Sequence, residues 1–551
     1  MFWIIQKHQN VILLFLKKLC VSRESDSWLY VSRETFIKKG VKNMSVQPNT
    51  IVKVYTSLAL DKSYKNTLYF DSIASQNSFF HGSKTPIATF QNNSYQRVNK
   101  NTIRVNSVAD RLYNACYMAF QNSSYGQKWF YAFVEKVEYV SDTCCEISYS
   151  IDSVQSYLLQ CDIKQSYVVR EHSLTDNVGD NLTSEQVDIG NIICSGIESD
   201  TFNINTALLF CTSERSNVNP LGKWHDAGEF QGCVCACNVV EYTLPNDIDK
   251  LKGDLHTFVA QKEIQNVQSI IMIPGEYTTF ESGVFLSDTI TKRRPNDFDG
   301  YKPKNNKLLT YPFNYLDVDN LSNVAHYRYE YFSNGVKFQK LACMVSPNAQ
   351  VALVPVGYNG SGTGLYNYNE RLTVQNFPQM PYTVDGYANW LAQNSTTQYI
   401  SAISSAVTTG FGMITGNPVA IVGGAIGLTN TLNSSITAQA TPDQVKGLNS
   451  GNIDLASRSM GFYFKKMQVT KEYAKQIDDY FTCYGYATHR IKKPNISSRP
   501  HWNFVKTQNA NIVGACPVEN LSEICKAFDY GITFWKKANE IGNYDLDNSP
   551  A

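Results

Sequence analysis

The stretch "KWFYAFVEKVEYV", Lys128–Val140, decides the fold class. Its first half runs through aromatic and aliphatic residues without helical spacing, and its second half alternates apolar with charged side chains. Neither half gives a helix an apolar stripe, whereas aromatic and β-branched residues suit a pleated surface. The run is long for one strand and fits an extended ribbon. "CCEISYSIDSVQSYLL" (Cys144–Leu159) follows with Ile147, Tyr149 and Ile151 on one face, and the Asn- and Gly-bearing "NSSYGQ" is read as the hairpin turn of the pair. From Thr50 to His172 the chain reads as strands and turns.

Composition agrees with a mainly β protein. The 551 residues include 34 Tyr and 28 Phe, with 18% charged residues. A single core stops growing at roughly 250 to 300 residues, so the chain divides into two or three domains. Residues 173–340 are more mixed and read as an inserted α+β domain: "SEQVDIG" suggests a turn and "DKLKGDLHTFVAQKEIQNV" a helix, flanked by strand-like "ALLFCT", "VQSIIMIP" and "YRYEYF". "VALVPVGYNGSGTGLYNYN" returns to strand and a glycine-rich turn. "TKEYAKQIDDYFTCYGY" (Thr470–Tyr486) predicts a helix from the spacing of Tyr473, Ile477 and Tyr480, and the chain ends in an aromatic α+β segment.

Several function classes lack their signatures. A formal net charge of +1 without long like-charge runs argues against electrostatic nucleic-acid binding. The 14 cysteines are dispersed, which predicts reduced, mostly buried thiols made in a cytosol. Cys233, Cys235 and Cys237 share one face of a strand, and with only His225 near them they predict a thiol-lined strand rather than a zinc site. "GYNGSGTG" (Gly357–Gly364) has no following Lys-Ser/Thr and fails the phosphate-loop and dinucleotide patterns. "VREH" (Val169–His172) sets a Glu beside a His, but a strand aims adjacent side chains apart. No G-x-S-x-G or H-E-x-x-H occurs, so no catalytic residue, metal or cofactor is expected.

The first residues contain a short apolar core, Val11–Leu16, without the charge order or cleavage site of a signal peptide. "KKGVKN" just before Met44 can be encoded by a purine-rich ribosome-binding site. Met44 is therefore the expected initiator, with residues 1–43 an untranslated or disordered extension.

Residues 386–442 carry no Asp, Glu, Lys, Arg or His, a run of 57 positions containing "GFGMITGNPVAIVGGAIGLTN" (Gly410–Asn430). A water-exposed loop rarely avoids charge for so long. Pro418 splits the apolar part, Ala402–Leu428, into two arms, each shorter than the roughly 20 residues of a helical membrane span. Ala402 with Ala406, Gly412 with Gly416 and Gly423 with Gly427 are small-xxx-small pairs that let helices approach closely in lipid. An ordinary buried linker helix pair also uses such residues.

"YKNTLYFDS" (Tyr64–Ser72), "RLYNACYMAFQNSSYGQKWFYAFV" (Arg111–Val134), "YVVREH" (Tyr167–His172), "YGYATHRIKKPN" (Tyr484–Asn495), "FDYGITFW" (Phe528–Trp535) and "IGNYDLDN" (Ile541–Asn548) occur in this order. With them the chain, from about residue 45 to 548, resembles the tail knob, or distal tail tube, proteins (major tail proteins) of small short-tailed, Picovirinae-like phages of Gram-positive bacteria. The resemblance implies a homohexamer whose tail-tube-type β-barrel domains close a ring around a channel for genome exit, at the distal end of the virion tail. It implies contacts with other tail proteins of the lower collar and proximal tail, and passage of DNA through the lumen without specific binding.

In the family a long hydrophobic loop plugs the lumen and then enters the host cell membrane as a pore. At the matching place lie Ala402, Ala406, Phe411, Gly412, Met413, Ile414, Gly416, Pro418, Val419, Ile421, Val422, Gly423, Ile426, Gly427 and Leu428, the expected membrane-active residues. The corresponding division is 44–172 as an N-terminal tube domain, 173–340 inserted, 341–385 returning to the tube, 386–442 as the loop and 443–551 as a C-terminal tube segment. The alternatives are a receptor-binding adhesin of the same tail and a cell-wall-degrading tail enzyme.

Overall fold

The structure, a computed structural model, describes residues 50–381 and 460–550 apart from 94–100, 123–125, 213–218, 227, 231–232, 236, 262, 264–265, 278–284, 288, 344–348, 361–364, 376 and 378. It is mainly β with few helices. Of the described residues, one compact unit holds 50–58 and 72–159 and another holds 59–71 and 160–550.

The first unit is built on β1 (Thr50–Tyr55), β2 (Ala88–Asn93), β3 (Thr102–Val105), β4 (Tyr117–Asn122), β5 (Trp129–Ser141) and β6 (Cys144–Ile151). They form one antiparallel sheet in the order β2-β1-β4-β5-β6-β3. The Lys128–Val140 run is thus a single strand of 13 residues, bent by register shifts at Val134/Lys136 and Tyr139/Ser141. Its first half lacks alternation because both faces are covered. Ala132 packs with Val52, Val54, Met118 and Ile147, while Tyr131 and Tyr117 meet Phe80 at 4.5 and 5.7 Å.

Phe80 is delivered by helical turns from Ile73 to Ser83, started by the reciprocal capping pair Ser72 and Ser75. Beyond the first bulge most positions are exposed, Tyr139 and Val140 among them, while Val137 still packs on the core. The β5–β6 hairpin turns at Asp142–Thr143, correcting the sequence assignment: "NSSYGQ" lies on the other side, between β4 and β5. The second strand ends at Ile151, the last residue of its apolar pattern. The Asp152 carboxylate accepts from Gln155 N and from the Tyr117 hydroxyl, each at 2.9 Å, and starts a helix at Ser153–Tyr157.

In the second unit β7 (Ser166–Glu171) precedes β8 (Ile192–Thr201), β9 (Asn314–Asp319), β10 (Val324–Tyr327) and β11 (Gly461–Val469). The last four make an antiparallel sheet in the order β8-β11-β9-β10. Phe462, Phe464, Leu316 and Val318 join its buried face to the large core of this unit. That core continues into the sheet Lys223–His225, Asn238–Thr243, Ile204–Cys211, Val267–Pro274 and Gln379–Pro381. It also takes in the sheet of Phe285–Leu286, Phe332–Cys343, Gln350–Tyr358 and Leu372–Val374.

Helix α1 (Ile248–Ala260) adds Leu251, Leu255 and Phe258 to this core, and the chain is already strand again at Val267. "YRYEYF" is not a strand: β10 ends at Tyr327 and Tyr329–Tyr331 form a tight helical turn that buries Tyr329. Across the glycine-rich segment Val356 bridges Tyr366, and Gly357 N donates to Leu365 O at 2.6 Å, so the chain folds back on itself there.

The C-terminal part contains α2 (Lys471–Tyr484), β12 (Tyr486–Lys492), β13 (Trp502–Gln508), α3 (Val518–Tyr530) and β14 (Ile532–Trp535). Its sheet runs Thr67–Leu68, β14, β13, β7, β12. Here β7 pairs with strands more than 300 positions later: Glu171 lies opposite both Tyr486 and Val505. Tyr544 closes the end, with its ring 5.2 Å from both Trp502 and Trp535.

Candidate functional site

The fifteen expected membrane-active residues, Ala402 to Leu428, lie outside the described residues, as does the whole of 386–442. Among the described residues no helix is long and apolar enough to cross a membrane. Nor do the described residues hold a group of three or more His, Cys, Asp or Glu side chains placed for a metal ion. Cys233 and Cys235 sit on a short strand paired with Gly228–Phe230, and His225 bonds Glu241 at 3.2 Å. No disulfide joins the described cysteines; Cys145 and Cys211 are buried, but most are half-buried and Cys194 is exposed, so burial is less general than dispersion suggests.

The Glu171–His172 pair is structural. His172 is buried; its Nδ1 accepts from Phe504 N at 2.8 Å and its Nε2 donates to Thr482 O at 3.1 Å. These bonds demand the neutral ring, and burial, with Arg499 and Arg170 nearby, lowers its pKa to about 3. Glu171 turns the other way, onto Lys492 and Asn495 N, the latter at 2.8 Å. With both ring nitrogens on backbone groups, His172 has none left for a substrate.

Around it, a buried polar network ties α2 to two passing segments. The Asp478 carboxylate accepts from the Tyr301 hydroxyl (2.7 Å), Lys304 N (2.7 Å), Asn305 N (3.0 Å) and Asn305 Nδ2 (2.8 Å). Glu185 takes Arg170 and Lys307 together and accepts from Ala487 N at 2.8 Å. Burial lowers the Lys307 pKa, against the pull of Glu185, and raises that of Asp176, which receives the Tyr486 hydroxyl. Every charge in this group has a partner, as buried charges require.

An open cleft of about 510 Å³ lies over the same sheet. Helices α2 and α3 both end in Tyr-Gly, and Gly485 and Gly531 take φ of +65° and +104°. A Cβ on Gly485 would come within 2.2 Å of Glu171 O, and one on Gly531 within 2.7 Å of the Phe504 ring. These glycines turn the two helix ends sharply, and Tyr484 and Tyr530 line the cleft from both sides. The Tyr480 ring meets that of Tyr484 at 5.2 Å with the two planes tilted, and Phe504 meets Tyr484 edge-on at 5.1 Å. A register shift between Ala487 and Arg490 in β12 leaves His489 at φ +48° on the cleft wall. Arg170 is engaged by Glu185, the Gly485 carbonyl (2.6 Å) and the face of Tyr480 (4.7 Å). Lys65 and Lys506 also line the cleft and are exposed. Sequence reasoning named Tyr480 for its helical spacing but did not bring these residues together as a site; the visible signal was the Tyr-Gly pair that ends both helices, in "CYGY" and "DYGI".

Comparison with known proteins follows the same outline. The family model of the Bacillus phage phi29 tail knob protein gp9 C-terminal domain matches residues 276–549, and that of the caudoviral major tail protein N-terminus matches 48–162. Tail knob protein gp9 of Bacillus phage B103 is 24% identical over 91% of this chain and 98% of its own. The chain belongs to the phage tail knob protein family. Tail knob protein gp9 of Bacillus phage phi29 is likewise 24% identical, with the same two coverages. The solved bacteriophage C1 tail knob protein, gp12, shares the fold with a TM-score of 0.58 at 15% identity, covering 91% of this chain and 99% of that one. These relatives bear the names of virion tail components of phages, not of enzymes.

Proposed function

We propose that the chain is the distal tail knob of a short-tailed phage: a homohexamer that surrounds the exiting DNA, docks on the proximal tail, plugs its own lumen before ejection, and perforates the host membrane through residues 386–442. The observation that carries the membrane step is the 57-residue run without an ionisable side chain, in a chain similar to tail knob proteins over 91% of its length. Insertion scales put a charged residue at mid-membrane at roughly 2.5 to 3.5 kcal/mol, so a segment that enters lipid sheds such groups. The four-stranded sheet supports ring closure, because its edge strands β8 and β10 expose Ile193, Ile197 and Val324. Exposed apolar edges seek a partner strand, and six copies in a ring provide one without leaving an open end. DNA passes without specific contacts, consistent with the near-zero net charge.

The test is dye release from liposomes alongside negative-stain microscopy. Wild-type protein should form sixfold rings and release dye. Ile421→Asp and Ile414→Lys should keep the rings and release far less. Equal release by the charged variants would return the stretch to a buried linker, and compact monomers or trimers would refute the ring.

A further inference from the structure

From the cleft between the ends of α2 and α3 we infer that the C-terminal part of the chain carries a binding site for an anionic saccharide. Its volume, about 510 Å³, falls within the range of small-ligand sites, roughly 300 to 1,000 Å³. Three tyrosines present ring surface to it, with Tyr480 36%, Tyr484 42% and Tyr530 80% exposed. Water is a poor partner for such faces, whereas the apolar face of a sugar ring stacks on them and leaves its hydroxyls to polar neighbours such as Gln186.

The charge of the ligand follows from the lysines. Arg170 shares Glu185 with Lys307, and Lys65 and Lys506 have no carboxylate within ion-pair distance among the described residues. The two helix C-termini bring about half a negative charge each, less than the two ammonium groups bring in positive charge. The cleft is therefore net positive and favours a carboxylate- or phosphate-bearing sugar over a neutral one. A nucleic acid strand would instead need a continuous basic track, and the chain's net charge is only +1. This site lies wholly within the described residues and is independent of the membrane reading.

Binding to the full-length protein would be measured by calorimetry with trigalacturonate, glucose 1-phosphate, maltotriose and an eight-residue oligothymidylate. One or both anionic sugars should bind at least about tenfold more tightly than maltotriose, and which of them binds separates carboxylate from phosphate recognition. Lys65→Ala and Lys506→Ala, both at exposed positions, should each weaken binding on the order of tenfold, as expected for a lost charge-assisted hydrogen bond. Tyr530→Ala should weaken it and Tyr530→Phe should not. Absence of sugar binding, lysine variants that bind like wild type, or preference for oligothymidylate would each overturn the assignment. Loss of ring assembly in Lys65→Glu together with Lys506→Glu would do the same, marking the cleft as a contact between copies.

Discussion

Acidification should destabilise the C-terminal core through one side chain, His172. Its Nδ1 must stay unprotonated to accept from Phe504 N, and burial with Arg499 and Arg170 nearby holds the folded pKa at about 3. In the unfolded chain the value returns to roughly 6.5. The folded pKa is depressed, so this contribution is fully present above pH 6.5 and is lost as pH falls toward 3. The unfolded state binds one proton more in that window, which makes the slope about 1.4 kcal/mol per pH unit and the loss between pH 7 and pH 5 about 2 kcal/mol. Urea unfolding followed by tryptophan fluorescence at both pH values should show this loss in wild type and a correspondingly smaller one in His172→Gln. The difference between the two slopes removes groups common to both, including Asp176. Histidine-selective NMR supplies the direct check. A resonance absent from His172→Gln that titrates near pH 6.5, or identical slopes in both proteins, would refute the reasoning.

Two further predictions come from the same core. Gly485→Ala should be severely destabilising, since a positive φ costs an L-residue roughly 1 to 2 kcal/mol and the added Cβ also meets Glu171 O at 2.2 Å; Gly126→Ala, with φ +80° and nothing within 4 Å, should show only the conformational cost in thermal melts. Asn548→Ala should cost about 1 to 3 kcal/mol in urea unfolding, because the Asn548 side chain accepts from His501 N and Trp502 N and donates to Trp502 O at 2.9 Å, and Trp502 is fully buried.

Much of the local structure was legible because it rests on patterns within a few residues. The spacing of Tyr473, Ile477 and Tyr480 marks a helix, and α2 runs Lys471–Tyr484, with Ile477 buried and Tyr480 at the cleft. Strand β6 alternates as written, with Cys145, Ile147 and Tyr149 buried. The misplaced turn and the "YRYEYF" segment show the limit of such reading. Aromatic residues suit a strand or a packed turn equally well, and only the surrounding core chooses between them.

The sequence by itself determined the β-rich class, the absence of familiar enzyme motifs and the charge-free run, since each is a property of composition or of neighbours along the chain. The tertiary structure alone decided the pairing of β7 with β12 and β13, the role of Glu171 and His172, and the cleft. Those depend on residues brought together across some 300 positions: the strand pattern already set Glu171 and His172 apart, but only the fold supplies Lys492 and Asn495 as the partners of Glu171. A side chain's chemistry is set by what it touches, and contacts at that sequence separation leave no periodic trace in either partner's own segment.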